Sequence, residues 1–480
     1  MTVTTRIPFF PIQPGVYPYI NTSALEGPGG KPAQPITAIV GPCLGGKPEE
    51  ALYFQSPQAL ESVLRGGPAY DCARFNLSAS GYQVCVVRPG TPLPGKLELA
   101  GASSHPVVLT AKEYGSWTNA IQVTVLAKNV VIVQYTDPTG VVYKETFEPG
   151  ESATAAQVVA AINEGTGGYP SQWVTAATAT GTMPLTVASV KSLTGGTDEL
   201  TPAAEAYTNA LKVLEPEPIS IVVAATSTAS VHAQVQTHCD NLSQPLARHE
   251  RTFVFGGALA ETTGETITRA TNLKDKRGQL VYPGGYDYSG AGVLTLYDPF
   301  YMAARVAGMH CAQEDVATAL THKTIEIVAP ERKLSSVQGS DLDQLLTAGV
   351  TPIAPSVTPG SYWLTDDLST WTSTEYFKDF HKIRTADYVG QEARFQLEPK
   401  FVGSKILNGS VNDVKVAAEQ FLESMQLEGI IRAWEPPTVT YVEPRTFLLS
   451  LPVLIPETLK FIPVQVALQP ASTAGSTGSL

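Results

Sequence analysis

The spacing of apolar and polar positions divides this chain into regions of different texture. Ile36–Val40 and Val84–Val87 are short, largely apolar runs, which predict buried strands. Between them Ser56 and Pro57 predict a helix start and Gly66-Gly67 its end, so 33–90 reads as β-α-β. From about 105 to 200, β-branched runs broken by turns take over: Ile121–Leu126, Val130–Tyr135 and Val141–Phe147, with one helix near Thr154–Asn163 closed by Gly165. Strand–helix alternation resumes with Thr201 as a cap before Pro202. Ile219–Ala224 and Thr252–Phe255 predict strands, and Ser230–Asn241 a helix. Asp298-Pro299 opens a helix through Gly308, and Ser340 with Asp343 caps one that stops at Gly349. Further on, Thr374–Val402 reads as largely helical. Ser410–Leu427 is amphipathic, with Val414, Ala417, Ala418, Phe421, Leu422 and Met425 on its apolar side and Gly429 at its end. Three strand candidates follow: Ile430–Trp434 continuing to Val442, Thr446–Val453, and Leu459–Leu468.

The two ends carry strand-like segments that belong to no region. Val16, Tyr17, Tyr19 and Ile20 lie in a stretch isolated by Pro8, Pro11 and Pro14 before it and by Gly27–Lys31 after it. At the back, Phe461 and Ile462 precede Val464, Val466 and Leu468, which alternate with Gln465, Ala467 and Gln469 at the period of a strand with one buried face. Pro18 and Pro463 each remove a ladder donor, which suits an edge strand rather than a sheet centre. An edge strand that leaves its own body to pair with another subunit fits this pattern. The Ser/Thr/Gly-rich 471–480 is read as a flexible tail.

The fold class expected from these patterns is α/β and α+β multidomain. An N-terminal arm (1–32) precedes an α/β sandwich body (33–100 plus 201–365), which is interrupted by an inserted β-rich domain (101–200). An α+β C-terminal domain (366–457) and a C-terminal strand arm with its tail (458–480) complete the chain.

Composition narrows the function. Charged residues are only 16% of the chain, so the surface must be covered by Thr, Ser, Gly, Gln and Asn or by other protein. The net charge of -12, with no basic run, argues against nucleic acid as a partner. No apolar run approaches the ~18 residues needed to span a bilayer, and residues 1–10 do not resemble a signal peptide; a soluble, cytoplasmically made protein is expected. Five scattered cysteines without a CxxC pair point to buried thiols in a reducing compartment.

Candidate chemistry is sparse. Gly41-Pro42-Cys43-Leu44-Gly45-Gly46-Lys47 follows a strand and satisfies G-x-x-x-x-G-K, the phosphate-cradling pattern. Pro48 stands where the magnesium-holding Ser/Thr belongs, so a Gly/Pro turn is the stronger reading and a nucleotide-binding enzyme the distant one. His232, His238, Cys239 and His249 cluster in sequence but match no zinc spacing, and residues six apart on a helix do not share a face. No G-x-S-x-G elbow occurs. No catalytic residue, metal or cofactor is assigned. Glu419 and Glu423, with Glu428 beyond, give the 410–427 helix an acidic stripe, either solvated surface or a docking face for a basic partner.

The order of features resembles the contractile tail sheath proteins of bacteriophages and related injection machines. Pro14-Gly15-Val16-Tyr17 is similar to the family's opening arm, and Ala38–Gly41 with Ser56–Leu64 to its first strand–turn–helix. Gly115-Ser116-Trp117-Thr118-Asn119 with Ile121–Val125 resembles the G-x-W-x-N lead-in to the inserted domain, although Thr118 replaces the Gly common there. Leu193–Asp198 resembles the L-x-G-G-x-D exit. Tyr282-Pro283, Ala303–Gly308, Leu342–Val350 and Arg384–Tyr388 follow in the family's order, and 410–468 resembles its C-terminal domain. The resemblance implies a structural, non-enzymatic protein whose central domain is subtilisin-like by fold only. It implies a virion tail sheath assembled in the host cytoplasm, with partners in other copies of itself, a tail tube protein, and baseplate and tail terminator proteins. Alternatives in the same class are a non-contractile virion or baseplate component and the sheath of a tail-like bacteriocin or injection system. On this reading Glu419, Glu423 and Glu428 face the tube.

Overall fold

The computed structural model describes residues 35–460, except 139, 166–167, 245–246, 336–338, 375, 404, 407–408 and 444–445. The arm residues Val16, Tyr17, Tyr19, Ile20, Phe461, Ile462, Val464, Val466 and Leu468 lie outside the described residues.

The largely apolar runs become the centre of a nine-stranded sheet. Six strands run parallel in the order Val350–Pro355, Gly278–Tyr282, Thr252–Gly256, Ile221–Ala224, Thr37–Val40 and Val84–Val87. Antiparallel strands close both margins: Leu52–Phe54 on one side, Tyr362–Leu364 and then Thr324–Ile325 on the other. Side chains alternate across the sheet, and both faces are buried. Ile39, Val84, Val86, Ile221 and Val223 meet the helices Pro57–Leu64, Pro68–Ser80 and Pro299–Cys311. Ala38, Val40, Cys85, Val87, Val222 and Ala224 meet Ala204–Leu214, Ala229–Leu242, Thr263–Leu273 and Asp341–Thr347. A strand with helices on both faces has no polar side to keep, which is why these runs do not alternate.

Local signals set the helix ends. The Ser56 hydroxyl accepts the Ala59 amide in front of Pro57, and Thr154 with Gln157 forms a reciprocal capping box on Ala155–Asn163. Two expectations are corrected. A second helix, Pro68–Ser80, follows Gly67 where only one was read, because its Ala, Cys and Ser residues give little amphipathic signal. Those small residues let it lie close against Pro299–Cys311, where a Cβ on Gly308 would stand 2.5 Å from the Asn76 carbonyl oxygen. The Thr201-Pro202 cap is displaced: the helix is Ala204–Leu214, with extended Ala203 before it.

The insertion has its own core of Val107, Leu109, Ile121, Val123, Val131, Val133, Phe147, Val158 and Ile162. Its largest sheet orders Ala188–Ser192, Gln122–Leu126, Val130–Thr136 and Val142–Phe147. Lys96–Leu99, counted with the body from sequence, pairs antiparallel with Val107–Ala111 inside this unit. The chain in fact leaves the body after Arg88, and the bridge between Leu93 and Thr197 ties the outgoing and returning strands together.

In the C-terminal region Val389, Ala393 and Leu397 of the Phe380–Phe401 helix pack on Phe421, Leu422 and Met425 of Ser410–Leu427. The first of the three strand candidates there is split. Ala433–Trp434 pairs with Val453–Leu454, Thr438–Glu443 pairs with Thr446–Ser450, and Pro436-Pro437 separates the two ladders because neither proline can donate. Of the Leu459–Leu468 candidate only Leu459 and Lys460 are described, and neither is in a strand.

Candidate functional site

In open parallel sheets ligands bind outside the carboxyl ends of the strands, where the crossover helices change face. Here that point lies between Thr37–Val40 and Ile221–Ala224, and the Gly41–Lys47 loop leaves from it. The loop is packed shut. A Cβ on Gly41 would sit 2.4 Å from the Ala225 Cβ, and one on Gly45 2.2 Å from the Val63 carbonyl oxygen. Its amides are engaged: Gly41 donates to Val87, Leu44 to Gly66 and Gly45 to Leu64. The carbonyls of Gly45 and Gly46 instead receive the buried Arg88 guanidinium, each at 3.0 Å. Lys47 pairs at the surface with Glu50 at 2.7 Å. A phosphate cradle needs free amides on a helix N-terminus, but this loop presents carbonyls to a cation and runs on into the Leu52–Phe54 strand.

The position holds the root of the insertion instead. Arg88 also donates to the Asp198 carbonyl oxygen at 2.6 Å, so one side chain joins the loop to the returning strand. The motifs 115–119 and 193–198 meet there. Asn119 exchanges two hydrogen bonds with the Gly196 backbone, at 3.0 and 2.9 Å, and Asp198 accepts from the Ser116 amide and hydroxyl at 2.6 and 2.5 Å. Thr118 is built into the root. It accepts from the Gly95 amide at 2.8 Å and donates to the Gly115 carbonyl at 2.6 Å. Gly115 has φ +118, and a Cβ there would come within 2.0 Å of the Leu44 carbonyl oxygen. Beside it Arg65 stacks on Trp117, 3.6 Å from the ring centre, and donates to the Tyr135 hydroxyl at 2.9 Å. The insertion therefore stands on the body through a hydrogen-bonded base rather than two loose linkers.

The histidines are separated. His232 stacks on Phe255 and bonds the Thr226 carbonyl oxygen, and its burial pushes the imidazole down to about 3. His238 lies 2.9 Å from an Arg251 nitrogen; burial first, and that cation second, push it down to about 4. Cys239 is buried with its thiol pushed up by desolvation, and His249 is exposed. Among the described residues no three His, Cys, Asp or Glu groups are placed to hold a metal ion. None of the helices described is long and apolar enough to cross a membrane.

Polar links fasten the Phe380–Phe401 helix to the body, and the 384–388 segment singled out in the sequence supplies two of their members, Arg384 and Asp387. Arg277 grips Asp387 through two bonds at 2.5 and 3.0 Å, and Arg394 grips Glu250 with both at 2.5 Å. Arg384 reaches the buried His310, whose other nitrogen meets Gln279, and Gln279 donates to the buried Asp367. On the following helix Glu423 is exposed, and Glu419 is half-exposed with Lys415 3.8 Å away. Glu428 follows the helix end. Val416 and the 83% exposed Leu427 share this side, so it is apolar and acidic rather than acidic alone. Among the described residues both C-terminal sheets are two-stranded, with both edges unpaired.

Residues 201–370 match the family described as "Phage tail sheath protein central domain". A putative tail sheath protein of Enterococcus phage phiEF24C is 28% identical over 294 residues, covering 59% of this chain and 50% of that protein. The chain spans about half the length of the curated relatives it matches. By fold it is similar to a sheath tail protein from Desulfitobacterium hafniense, with a TM-score of 0.65 and 16% identity over 92% of this chain and all of that one. It is also similar to the helical sheath of the anti-feeding prophage in its contracted state, with a TM-score of 0.55 and 10% identity over 95% and 99% of the two chains.

Proposed function

We infer from the phage tail sheath family, to which this chain belongs, that it polymerises as a helical sheath around a tail tube and contracts to drive that tube through a host envelope. The terminal segments act as arms, adding strands to neighbouring subunits so that the lattice changes shape without coming apart. The observation that carries this reading is that, among the described residues, each of the two C-terminal sheets has only two strands and no third strand on either edge. Two strands alone are marginal in water, and an added strand supplies what they lack. The terminal sequences are suited to the task. Thr5–Asn21, extended, reaches about 50 Å. Burying Val464, Val466 and Leu468 contributes on the order of 5–9 kcal/mol before ordering costs.

Contraction needs no nucleotide on this account. The energy resides in a metastable arrangement of subunit surfaces and is released cooperatively. The packed Gly41–Lys47 loop supports a structural rather than catalytic role. The face bearing Glu419, Glu423 and Glu428 meets the tube, and the baseplate and a tail terminator bound the polymer at its two ends. Assembly takes place in the host cytoplasm. The test is removal of Leu459–Leu480: folded, soluble chains that do not polymerise are expected. Normal sheath-like tubes in negative-stain micrographs would overturn the arm reading.

A further inference from the structure

The last described residues leave the body through a row of alternating charges. Glu457 meets Lys382 at 2.9 Å, Lys382 meets Asp379 at 3.2 Å, Asp379 meets Lys460 at 2.6 Å, and Lys460 meets Asp366 at 2.7 Å. Three parts of the chain contribute. Asp366 follows the marginal strand Tyr362–Leu364, Asp379 and Lys382 open the helix Phe380–Phe401, and Glu457 and Lys460 belong to the departing segment. The anchor points are held from behind. Thr321 and the Asp367 amide donate to the second Asp366 oxygen at 2.8 and 2.9 Å, and the Lys382 ammonium lies 4.8 Å from the Tyr376 ring centre.

Two features separate this row from ordinary surface pairs. Lys382 is only 4% exposed, and a buried ammonium is tolerated only where carboxylates surround it. Burial alone would raise the Asp379 carboxyl, but Lys460 and Lys382 outweigh it and hold the group below its ordinary value. The apolar hold on the segment ends at Ile455, which is 2% exposed; Leu459, between the two charged residues, is 75% exposed. Past Ile455 the attachment is electrostatic.

We propose that this row is an electrostatic clip fastening the root of the C-terminal segment to the joint between body and C-terminal region. Whatever the segment beyond 460 binds then pulls on the first turn of the Phe380–Phe401 helix, and the clip loosens as ionic strength rises. Its consequence for assembly rests on the arm reading; the clip itself does not.

The test is hydrogen exchange at the root, read at 453–460 together with the bonded amides of Phe380 and Lys382 to which it is clipped, in the unassembled full chain, for the native protein, Lys460→Glu, the milder Lys460→Met, and Lys460→Glu with Asp366→Lys. Reversal or removal of the charge is expected to speed exchange at the root about tenfold, with the body unchanged. Asp366→Lys is expected to recover most of the protection lost in Lys460→Glu. The native root is expected to loosen between roughly 0.05 and 1 M salt. Unchanged root exchange in Lys460→Glu and Lys460→Met would overturn the clip. Sedimentation scores assembly separately: polymers formed by a chain cut after Lys460 would remove the arm reading while leaving the exchange result intact.

Discussion

Arg88→Met is the sharpest probe of how the insertion is held. The substitution keeps an unbranched apolar stem and deletes the donors to Gly45, Gly46 and Asp198. Burial already pulls the Arg88 guanidinium below its usual value, so the side chain occupies this place only because three carbonyls receive it. The Gly46 carbonyl is left without a partner, at a cost of about 1–3 kcal/mol, while the Gly45 carbonyl keeps only the weak Cys43 thiol donor at 3.0 Å. The Asp198 carbonyl is only part-buried and regains water, and Met recovers some packing. A net loss of about 2–3 kcal/mol follows. The assay is urea unfolding of unassembled protein, with hydrogen exchange read at 41–47 and 195–199. The expected result is a lowered midpoint with protection lost at both segments together. A loss below about 1 kcal/mol with unchanged exchange would refute the view that Arg88 joins loop and insertion.

Other substitutions test the remaining parts. Gly115→Ala combines a left-handed φ with a 2.0 Å approach to the Leu44 carbonyl oxygen, and is expected to cost at least about 2 kcal/mol in thermal or urea unfolding; a neutral result would contradict the packing. His232 and His238 have folded values depressed to about 3 and about 4, so the unfolded chain binds more protons below about pH 6.5. Their stabilisation is complete above that pH and falls toward pH 4 by up to about 1.4 kcal/mol per unit for each group. His238→Gln should remove one such slope from stability measured between pH 6.5 and 4, and an unaltered slope would reject the assignment. Glu419→Lys with Glu423→Lys is expected to abolish assembly templated by the tube, and normal templated assembly would remove the tube-facing role.

Much of the body was legible because its strands are buried on both faces, which forces unbroken apolar runs such as Val84–Val87 and Ile221–Ala224. Caps were legible where the residue itself is the cap, as at Ser56. The Pro68–Ser80 helix was not, since a helix pressed onto another through small residues shows no apolar stripe. Motifs 115–119 and 193–198 were each visible, but neither says that Asn119 pairs with Gly196 or that Thr118 bridges to Gly95. Arg88, Arg277 and Lys382 gave no signal, and the 384–388 segment did not say that Arg384 meets His310, because a buried cation is recognised by distant partners and not by its neighbours in sequence.

The central claim is that the termini are shared between molecules. A reconstruction of the assembled particle, at a resolution that traces residues 1–34 and 461–480, tests it most directly. Both segments are expected to cross to neighbouring subunits and to add strands to the two-stranded C-terminal sheets there. Termini that fold back onto their own chain, touching nothing next door, would contradict it.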